Sequence, residues 1–264
     1  MKRLNLYLLL VASFFFCLEH SLAAAEKPAA LRALLITGGC CHDYEAQKKI
    51  LTNGISARAR VEWTVVHEAT NNERDHEFSV YKQPDWANGY DVIVHNECSG
   101  QMTNVAVVER IVEAHTQGVP AVMIHCSMHS YRNAPTEEWQ KLTGVTSVRH
   151  QHHAAVEVKN LKPEHPVMRG FPETWLTPNG ELYEIEKVWP NTIPLAQAYG
   201  TRSKKDHICI WVNTYGKARV FSTTLGHFNE EMDNEIFLGL VTRGLLWACD
   251  KLSDDGTPKA GYGK

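Results

Sequence analysis

The 264-residue sequence lacks any long run of one charge sign, and its formal net charge at pH 7 is only -3. Proteins that bind nucleic acid or a membrane surface through charge carry a basic patch or block, so neither partner is predicted. The sequence also lacks Gly-x-Gly-x-x-Gly and the Lys-Ser/Thr of a phosphate loop. Nucleotide binding therefore has little support, and Gly38-Gly39 is expected to permit a tight turn instead.

A run of apolar residues long enough to span a bilayer is missing as well, since Leu4 to Leu18 has only about 15 residues. Lys2 and Arg3 precede this run, and small residues from Ser21 to Ala25 follow it. The arrangement is typical of a secretory signal peptide cleaved near Ala23 or Ala25. We therefore predict a signal peptide at 1–25, one folded domain at 26–252 and a flexible tail at 253–264. The mature chain is expected to be periplasmic or extracellular and to have no membrane span.

All of the seven cysteines except Cys17 lie in the predicted mature chain: Cys40, Cys41, Cys98, Cys126, Cys209 and Cys249. An even number in an exported protein permits disulfides. Several of these cysteines lie within apolar segments, however, where a free cysteine packs as a small hydrophobic residue. Whether any of them pair, and whether the chain forms a homo-oligomer, stays open.

Short apolar strands alternate with helical segments in the first half of the mature chain. Strands are predicted at 31–37, 61–67, 90–95 and 119–124, and helices at 44–57 and 104–117. This alternation is typical of a parallel sheet covered by helices on both faces. The second half is richer in strands, at 154–158, 192–199, 208–213 and 218–223, and it closes with a helix at 233–250.

Polar residues follow three of the predicted strands: Gly38 to Asp43, His95 to Cys98, and His125 to Ser130. The carboxyl ends of parallel strands meet at one edge of the sheet, where such sheets bind ligands. The sequence therefore predicts a pocket at this edge.

Five segments carry a resemblance to a known family: LLITGGCCHDYEAQ, IHCSMHS, HPVMRGFPETW, GELY and YGKARVFSTTLGHF. In this order, and across nearly the whole mature chain, they resemble the ThuA-like (trehalose utilisation) family. The resemblance implies a flavodoxin-like, doubly wound α/β fold with a mostly parallel sheet, related to class I glutamine amidotransferases. It also implies a link to sugar metabolism, but it defines no reaction.

A cysteine nucleophile is the first hypothesis for the strand end at His125. In the related amidotransferases a Gly-x-Cys-x-Gly turn exposes the thiol near a helix N-terminus, which lowers its pKa. Here the flanking glycines are absent, and His125 stands where that cysteine would be. The distal His-x-Glu is also altered, because Phe228 and Asn229 follow His227. We therefore predict no glutaminase activity, and we expect Cys126 to pack beneath His125.

A histidine-carboxylate site is the second hypothesis. The predicted catalytic residues are His125, Glu181 and His227. The predicted substrate-binding residues are His42, Asp43, Glu97, His129 and Tyr183. Imidazole and carboxylate also suit a divalent metal such as zinc, and its predicted ligands are His125, His153, Glu181 and His227. The sequence has no local ligand signature such as His-Glu-x-x-His, so metal-free acid-base chemistry stays open.

Most histidines need no catalytic explanation. His67, His76, His115 and His207 are interpreted as satisfied surface or core groups. Side chains alternate along a strand, so at most one or two of His150, His152 and His153 are expected to face the site. Asp43 can equally cap the helix that starts at Tyr44.

The sequence thus predicts an exported enzyme, a hydrolase, lyase or isomerase, that acts on a saccharide or keto-saccharide by His/Glu acid-base or metal-assisted chemistry. The alternative is a non-catalytic sugar-binding or accessory module on the same scaffold. Binding without turnover, and without a metal, would favour the module.

Overall fold

The structure is a computed structural model that describes residues 28–264. The predicted signal peptide at 1–25 lies outside the described residues. The strands are β1 (Leu31–Gly39), β2 (Val61–Ala69), β3 (Val92–Cys98), β4 (Ala121–Ile124), β5 (Val145–His150), β6 (Glu157–Asn160), β7 (Thr174–Leu176), β8 (Tyr183–Val188), β9 (Ile193–Gly200), β10 (Lys205–Tyr215) and β11 (Ala218–Thr223). The helices are α1 (Tyr44–Ser56), α2 (Val105–Thr116), α3 (Glu138–Thr143), α4 (Asn229–Met232) and α5 (Glu235–Ala248). Short 3-10 turns lie at Ser79–Lys82, His125–His129 and Pro166–Met168.

Nine strands form one sheet in the order β2-β1-β3-β4-β11-β10-β9-β6-β7. The first five of these are parallel, and β10, β9, β6 and β7 add an antiparallel half. The parallel half has the order of a flavodoxin-like doubly wound sheet, so the predicted fold class is confirmed. Strands β5 and β8 form a separate antiparallel pair, which the sequence analysis did not predict.

The two faces of the sheet are covered by different helices because side chains alternate along each strand. Leu35 of β1 packs in one core cluster with Leu51 of α1 and Leu245 of α5. Leu34 and Ile36 point the other way, into a second cluster that includes residues of α2 and α3. Each fully buried Leu or Ile contributes about 2 kcal/mol to folding, so both faces hold the helices firmly.

The end of β1 requires both of its glycines. Gly38 and Gly39 have φ of +135° and +89°, a region that residues with a Cβ rarely adopt. A Cβ on Gly38 would collide with the carbonyl oxygen of Glu68, and one on Gly39 with that of Cys98. The two glycines were predicted to form a tight turn, but they are the last residues of β1, and what they permit is the close approach of β1 to the ends of β2 and β3.

The segment after residue 253, predicted to be a flexible tail, folds back against the start of the domain. The backbone nitrogen of Arg60 donates to the carbonyl of Tyr262 at 2.8 Å, and the Arg60 guanidinium donates to the carbonyls of Pro28 and Gly261. Tyr262 also packs on the core cluster under α1 and α5. No helix among residues 28–264 is long and apolar enough to cross a membrane.

Candidate functional site

Three histidines from three separate strand ends converge at the carboxyl edge of the parallel sheet. His42 follows β1, His125 follows β4, and His227 comes shortly after β11. Nδ1 of His227 lies 3.0 Å from Nε2 of His42 and 3.0 Å from Nε2 of His125. The topology explains this convergence, since β1, β4 and β11 run parallel and end at the same edge.

Glu181 adds a carboxylate to the three imidazoles. It lies directly before β8, and its Oε2 is 3.4 Å from Nδ1 of His227 and 3.5 Å from Nε2 of His125. Its other oxygen, Oε1, is 2.8 Å from Nε2 of His153 and 3.0 Å from Nδ1 of His150. We call His42, His125, His227 and Glu181 the rim cluster. His150 and His153 extend it toward solvent, because both side chains are about half exposed.

His125 has a backbone conformation that is rare for a residue with a Cβ. Its φ is +44°, in the left-handed region that costs of order 1 kcal/mol or more for a non-glycine residue. Such conformations are common where a strand end must project a side chain into a site. His125 therefore occupies the strand end for which a cysteine nucleophile was the first hypothesis. The side chain that points into the site from this position is an imidazole.

Hydrogen-bond partners determine which ring nitrogen of His125 and His42 carries a proton. Nδ1 of His125 faces the carbonyl oxygen of Thr224 at 2.6 Å, so Nδ1 donates and Nε2 keeps its lone pair. The Tyr44 hydroxyl donates to the carbonyl of Cys40 and so accepts from Nδ1 of His42 at 3.2 Å. Both Nε2 lone pairs therefore point at the centre of the rim cluster.

Burial keeps His42 and His125 neutral. Desolvation, and then the neighbouring His125 and His227, lower the pKa of His42 to about 2. Desolvation also lowers the pKa of His125, although Glu181 opposes it. Burial would raise the pKa of Glu181, but the neighbouring His125 and His227 hold that pKa below its ordinary value. The cluster thus combines the neutral imidazoles of His42 and His125 with an ionised carboxylate.

Glu231 holds the loop that carries His227. Its Oε2 accepts hydrogen bonds from the backbone nitrogens of Gly226 and His227 at 2.9 and 3.0 Å. Desolvation raises the pKa of this buried carboxyl to about 8, which favours its neutral form near pH 7. Nothing in the sequence pattern singled out Glu231.

The rim cluster opens into a cavity of about 320 Å³, a volume in the range of small-ligand sites. The cavity is lined by three rim-cluster residues (His42, His227 and Glu181), by four cysteines, and by Arg74, Arg132, Arg149 and Arg202. A larger cleft of about 910 Å³ lies at the amino ends of β1 and β11 and contains no histidine. Since parallel sheets bind ligands at their carboxyl ends, the smaller cavity is the candidate site.

The remaining predicted substrate-binding residues fall into different places. The Tyr183 hydroxyl lies 3.3 Å from Nε2 of His125, but its buried ring stacks on His129 at 3.8 Å and so is not free to stack on a sugar. His129 lines the cavity, and its Nε2 contacts Ser147 Oγ at 2.9 Å. Asp43 caps α1 by accepting from the Ala46 nitrogen, and it binds Asn229 instead of lining the cavity.

Glu97 does not reach the cavity, and its predicted role in substrate binding is corrected. It is fully buried on the other face of β3, where its Oε1 accepts from the Tyr81 hydroxyl at 2.8 Å and lies 2.9 Å from Nδ1 of His95. Side chains alternate along β3, so the residue that faces the cavity is the next one, Cys98.

Two groups that line the cavity were not among the predicted site residues. His150 contacts Glu181 beside His153, while His152 is exposed. The chain after β5 is irregular, so the alternation of a strand does not determine where these side chains point. Cys40, Cys41, Cys98 and Cys126 also line the cavity, joined as Cys40–Cys41 and Cys98–Cys126. The Cys-Cys-His sequence after β1 was the available signal.

Comparisons with known proteins agree with this architecture. Residues 32–248 match the family model ThuA, described as trehalose utilisation. A thua-like protein from Parabacteroides merdae has a solved structure with a TM-score of 0.64 at 19% identity, covering 88% of this chain and 97% of its own. A thua-like protein from Bacteroides uniformis has a TM-score of 0.63 at 15% identity, and the match covers 85% of this chain and 95% of that one. A cytoplasmic protein from Salmonella typhimurium LT2 has a TM-score of 0.53 at 12% identity, and the match covers 83% of this chain and 99% of that one. A search of curated protein sequences found no match.

Proposed function

The chain belongs to the ThuA family of trehalose utilisation, which links it to carbohydrate metabolism, and we propose that it is an enzyme that acts on a saccharide or keto-saccharide in the histidine-lined cavity. One observation carries this proposal: at the carboxyl edge of the sheet, Nδ1 of His227 lies 3.0 Å from Nε2 of both His42 and His125, and Glu181 Oε2 lies 3.4 Å from His227 and 3.5 Å from His125. The reaction classes that this set can serve are hydrolysis, elimination and isomerisation, each of which needs proton transfer at a sugar oxygen or carbon.

The donor set also fits a zinc ion, and the proposed ligands are His42, His125 and His227, with Glu181 beside them. Two Nε2 lone pairs face Nδ1 of His227, so at most one of these contacts can be a hydrogen bond donated by that nitrogen. A cation at the centre would satisfy all three rings. Histidine nitrogens with an adjacent carboxylate are a usual zinc environment, and partners such as Thr224 O and Tyr44 are of the kind that orient such ligands.

This ligand set revises the one predicted from sequence in two ways: His42 takes the place given to His153, and Glu181 is assigned to proton transfer instead of to the metal. Nε2 of His153 is turned to Glu181 Oε1, whereas Nε2 of His42 faces the centre. A zinc ion bound here would polarise a carbonyl or hydroxyl oxygen of the sugar. The side chains outside the ligand set would then transfer the protons.

Glu181, His150 and His153 form the proposed proton-transfer group. Glu181 is ionised, accepts from Nε2 of His153 and lies 3.0 Å from Nδ1 of His150, and both histidines lie at the solvent side of the cavity, where a substrate would enter. The Tyr183 hydroxyl stays protonated because burial raises its pKa, so it can donate a hydrogen bond to a substrate oxygen near His125. Four arginines around the cavity favour a substrate rich in oxygen atoms.

Export is a second part of the proposal, and it rests on the charged and apolar pattern of residues 2–25. The cysteine pairs Cys40–Cys41 and Cys98–Cys126 support it, since disulfides persist in oxidising compartments. Cell fractionation and mass measurement of the mature N-terminus test this part. Cleavage near Ala23 or Ala25 is expected, and a full-length protein retained in the cytoplasm would contradict it.

The catalytic proposal is tested with purified mature chain, trehalose, other glucosides and their keto derivatives. Product analysis by NMR and calorimetric titration are run on wild type, His125→Ala and Glu181→Gln. His207→Gln is the matched control, because this buried histidine contacts Ser203 and Ile185 away from the cavity. Turnover that the first two variants lose and the control keeps is expected. Saccharide binding without turnover of any substrate would identify a binding module instead.

A further inference from the structure

Four cysteine sulfurs form a continuous series along the wall of the cavity. Cys41 is bonded to Cys40, and Cys98 is bonded to Cys126. Sγ of Cys40 lies 3.5 Å from Sγ of Cys98, so the two pairs are in contact. We propose that these four residues form a thiol-disulfide exchange site, in which an external dithiol reduces the outer pair and Cys40 passes the reduction to the inner pair.

The fold brings the four sulfurs together from three neighbouring parallel strands. Cys40 and Cys41 follow β1, Cys98 ends β3, and Cys126 comes just after β4. The backbone nitrogen of Cys40 donates to the carbonyl of Cys98 at 3.2 Å, which fixes the two pairs side by side. The contact is therefore held by the same sheet edge that assembles the histidines.

Solvent exposure gives the series a direction. Cys41 is exposed, whereas Cys40, Cys98 and Cys126 are buried, with 2%, 3% and 6% of their surface accessible. Rates of exchange depend on access to the attacked sulfur. An external thiol can therefore reach the series at Cys41, and the inner pair is shielded from it.

The exchange conserves atoms and electrons at each step. A thiolate of the external dithiol attacks Sγ of Cys41, and Cys40 leaves as a thiolate. The second thiol of the reagent displaces Cys41, which takes up a proton, and the reagent departs as a disulfide. The Cys40 thiolate then attacks Sγ of Cys98, a Cys40–Cys98 bond forms, and Cys126 leaves as a thiolate that takes up a proton.

The two other cysteines of the described chain lack these features. Cys209 is buried beside β11, and its backbone carbonyl accepts hydrogen bonds from Thr223 and Thr224. Cys249 lies at the end of α5, where burial is the main cause that raises the pKa of its thiol to about 12. Both are free thiols in the structure. They serve as internal controls, since a thiol that is merely buried should not exchange.

The decisive variant is Cys41→Ser, which leaves Cys40 as a thiol beside the inner pair. The purified full chain is alkylated under native conditions and mapped by mass spectrometry without reduction. A Cys40–Cys98 bond and an alkylated Cys126 are expected. An intact Cys98–Cys126 bond with an alkylated Cys40 would overturn the proposal. Cys209→Ser is the control and should keep both original pairs.

A second experiment follows the wild-type chain with a limiting small dithiol, so that the proposal remains testable if the first variant misfolds. Free Cys126 should appear after Cys41 becomes free, and Cys40→Ser should slow its appearance about tenfold or more, because the inner pair loses its attacking group. Equal rates in wild type and Cys40→Ser would overturn the relay. Neither readout depends on the saccharide chemistry proposed above.

Discussion

Two clusters of histidine and carboxylate lie in the same parallel sheet, yet only one of them faces a cavity. The rim cluster of His42, His125, His227 and Glu181 lies beyond the strand ends. A second group, which we call the interior cluster, comprises His95, His115, Glu97 and Tyr81, and it lies between β3 and α2. All four of its side chains are fully buried.

The interior cluster uses every ring nitrogen within the protein. Nδ1 of His115 donates to the carbonyl of Val119 at 2.7 Å, and its Nε2 lies 3.1 Å from Nε2 of His95. Nδ1 of His95 then meets Glu97 Oε1 at 2.9 Å. The contacts run as a chain, in which each one joins two neighbouring groups. The rim cluster differs because its nitrogens converge on one point.

The comparison shows that residue type alone does not identify a site. Both clusters have the composition of a metal or acid-base centre. What separates them is geometry: an interior chain stabilises the fold, whereas convergence at an open edge leaves unshared lone pairs for a ligand. Four predictions test this distinction, starting with the largest expected effect.

Removing His95 should cost the most stability. His95→Ala leaves the Glu97 carboxyl buried without its imidazole partner, which typically destabilises a protein by about 3–5 kcal/mol. His42→Ala, at the partly exposed rim, should cost less than about 1 kcal/mol in metal-free protein. Urea unfolding of both variants measures the difference, and equal losses would mean that the two clusters are not distinct.

Removing the rim carboxylate should abolish most turnover with little effect on folding. Glu181→Gln keeps the shape but removes the ionised carboxylate that can exchange protons with His153 and the substrate, and loss of a general acid-base group lowers kcat by about 100-fold or more. The steady-state rate on the best saccharide substrate measures this effect. An unchanged rate would remove Glu181 from the proposed machinery.

Acid should destabilise the protein through both clusters. Burial lowers the pKa of His115 to about 3 and that of His42 to about 2, below the value of about 6.5 in the unfolded chain. Their contribution to the free energy of unfolding is therefore complete above pH 6.5 and is lost as pH falls toward 3, by about 1.4 kcal/mol per pH unit for each group. In metal-free protein, His115→Gln should reduce the slope of the free energy of unfolding against pH between pH 6 and 4. The same slope in this variant and the wild type would contradict this.

The smallest expected effect comes from a partner that orients a rim histidine. Tyr44→Phe removes the acceptor of His42 Nδ1, and loss of such a group lowers metal affinity by about tenfold. The matched control is Tyr215→Phe, which removes a hydroxyl bound to Glu138 far from the cavity. Chelator competition should separate the two variants, and the same zinc affinity in both would exclude this role for Tyr44.

The sequence predicted the parallel half of the fold and much of the rim, because both depend on local patterns. Strand β11 was predicted at 218–223 as observed, and His125 and His227 were placed at strand ends. Glu97 was assigned to the rim because the predicted strand ended at residue 95, whereas β3 continues to Cys98 and buries Glu97 on one of its faces. The β5–β8 pair was missed because its partners, such as Val145 and Val188, are distant in sequence.

The cysteine pairs could not be predicted for a related reason. Cys98 and Cys126 lie 28 positions apart, and their contact follows from strand order, which no local pattern contains. The ligand position of His42 depends in the same way on the end of β1 at Gly38-Gly39 and on Tyr44, whose combined effect appears only in three dimensions.

Zinc titration of metal-stripped protein against a competing chelator tests the central claim most directly. The account predicts one zinc ion per chain, with affinity weakened at least about 100-fold by His42→Ala, His125→Ala or His227→Ala. His115→Gln in the interior cluster should leave the affinity unchanged. Failure of the wild type to bind zinc, or equal affinity in the rim variants and the wild type, would contradict a metal centre built by the three strand-end histidines.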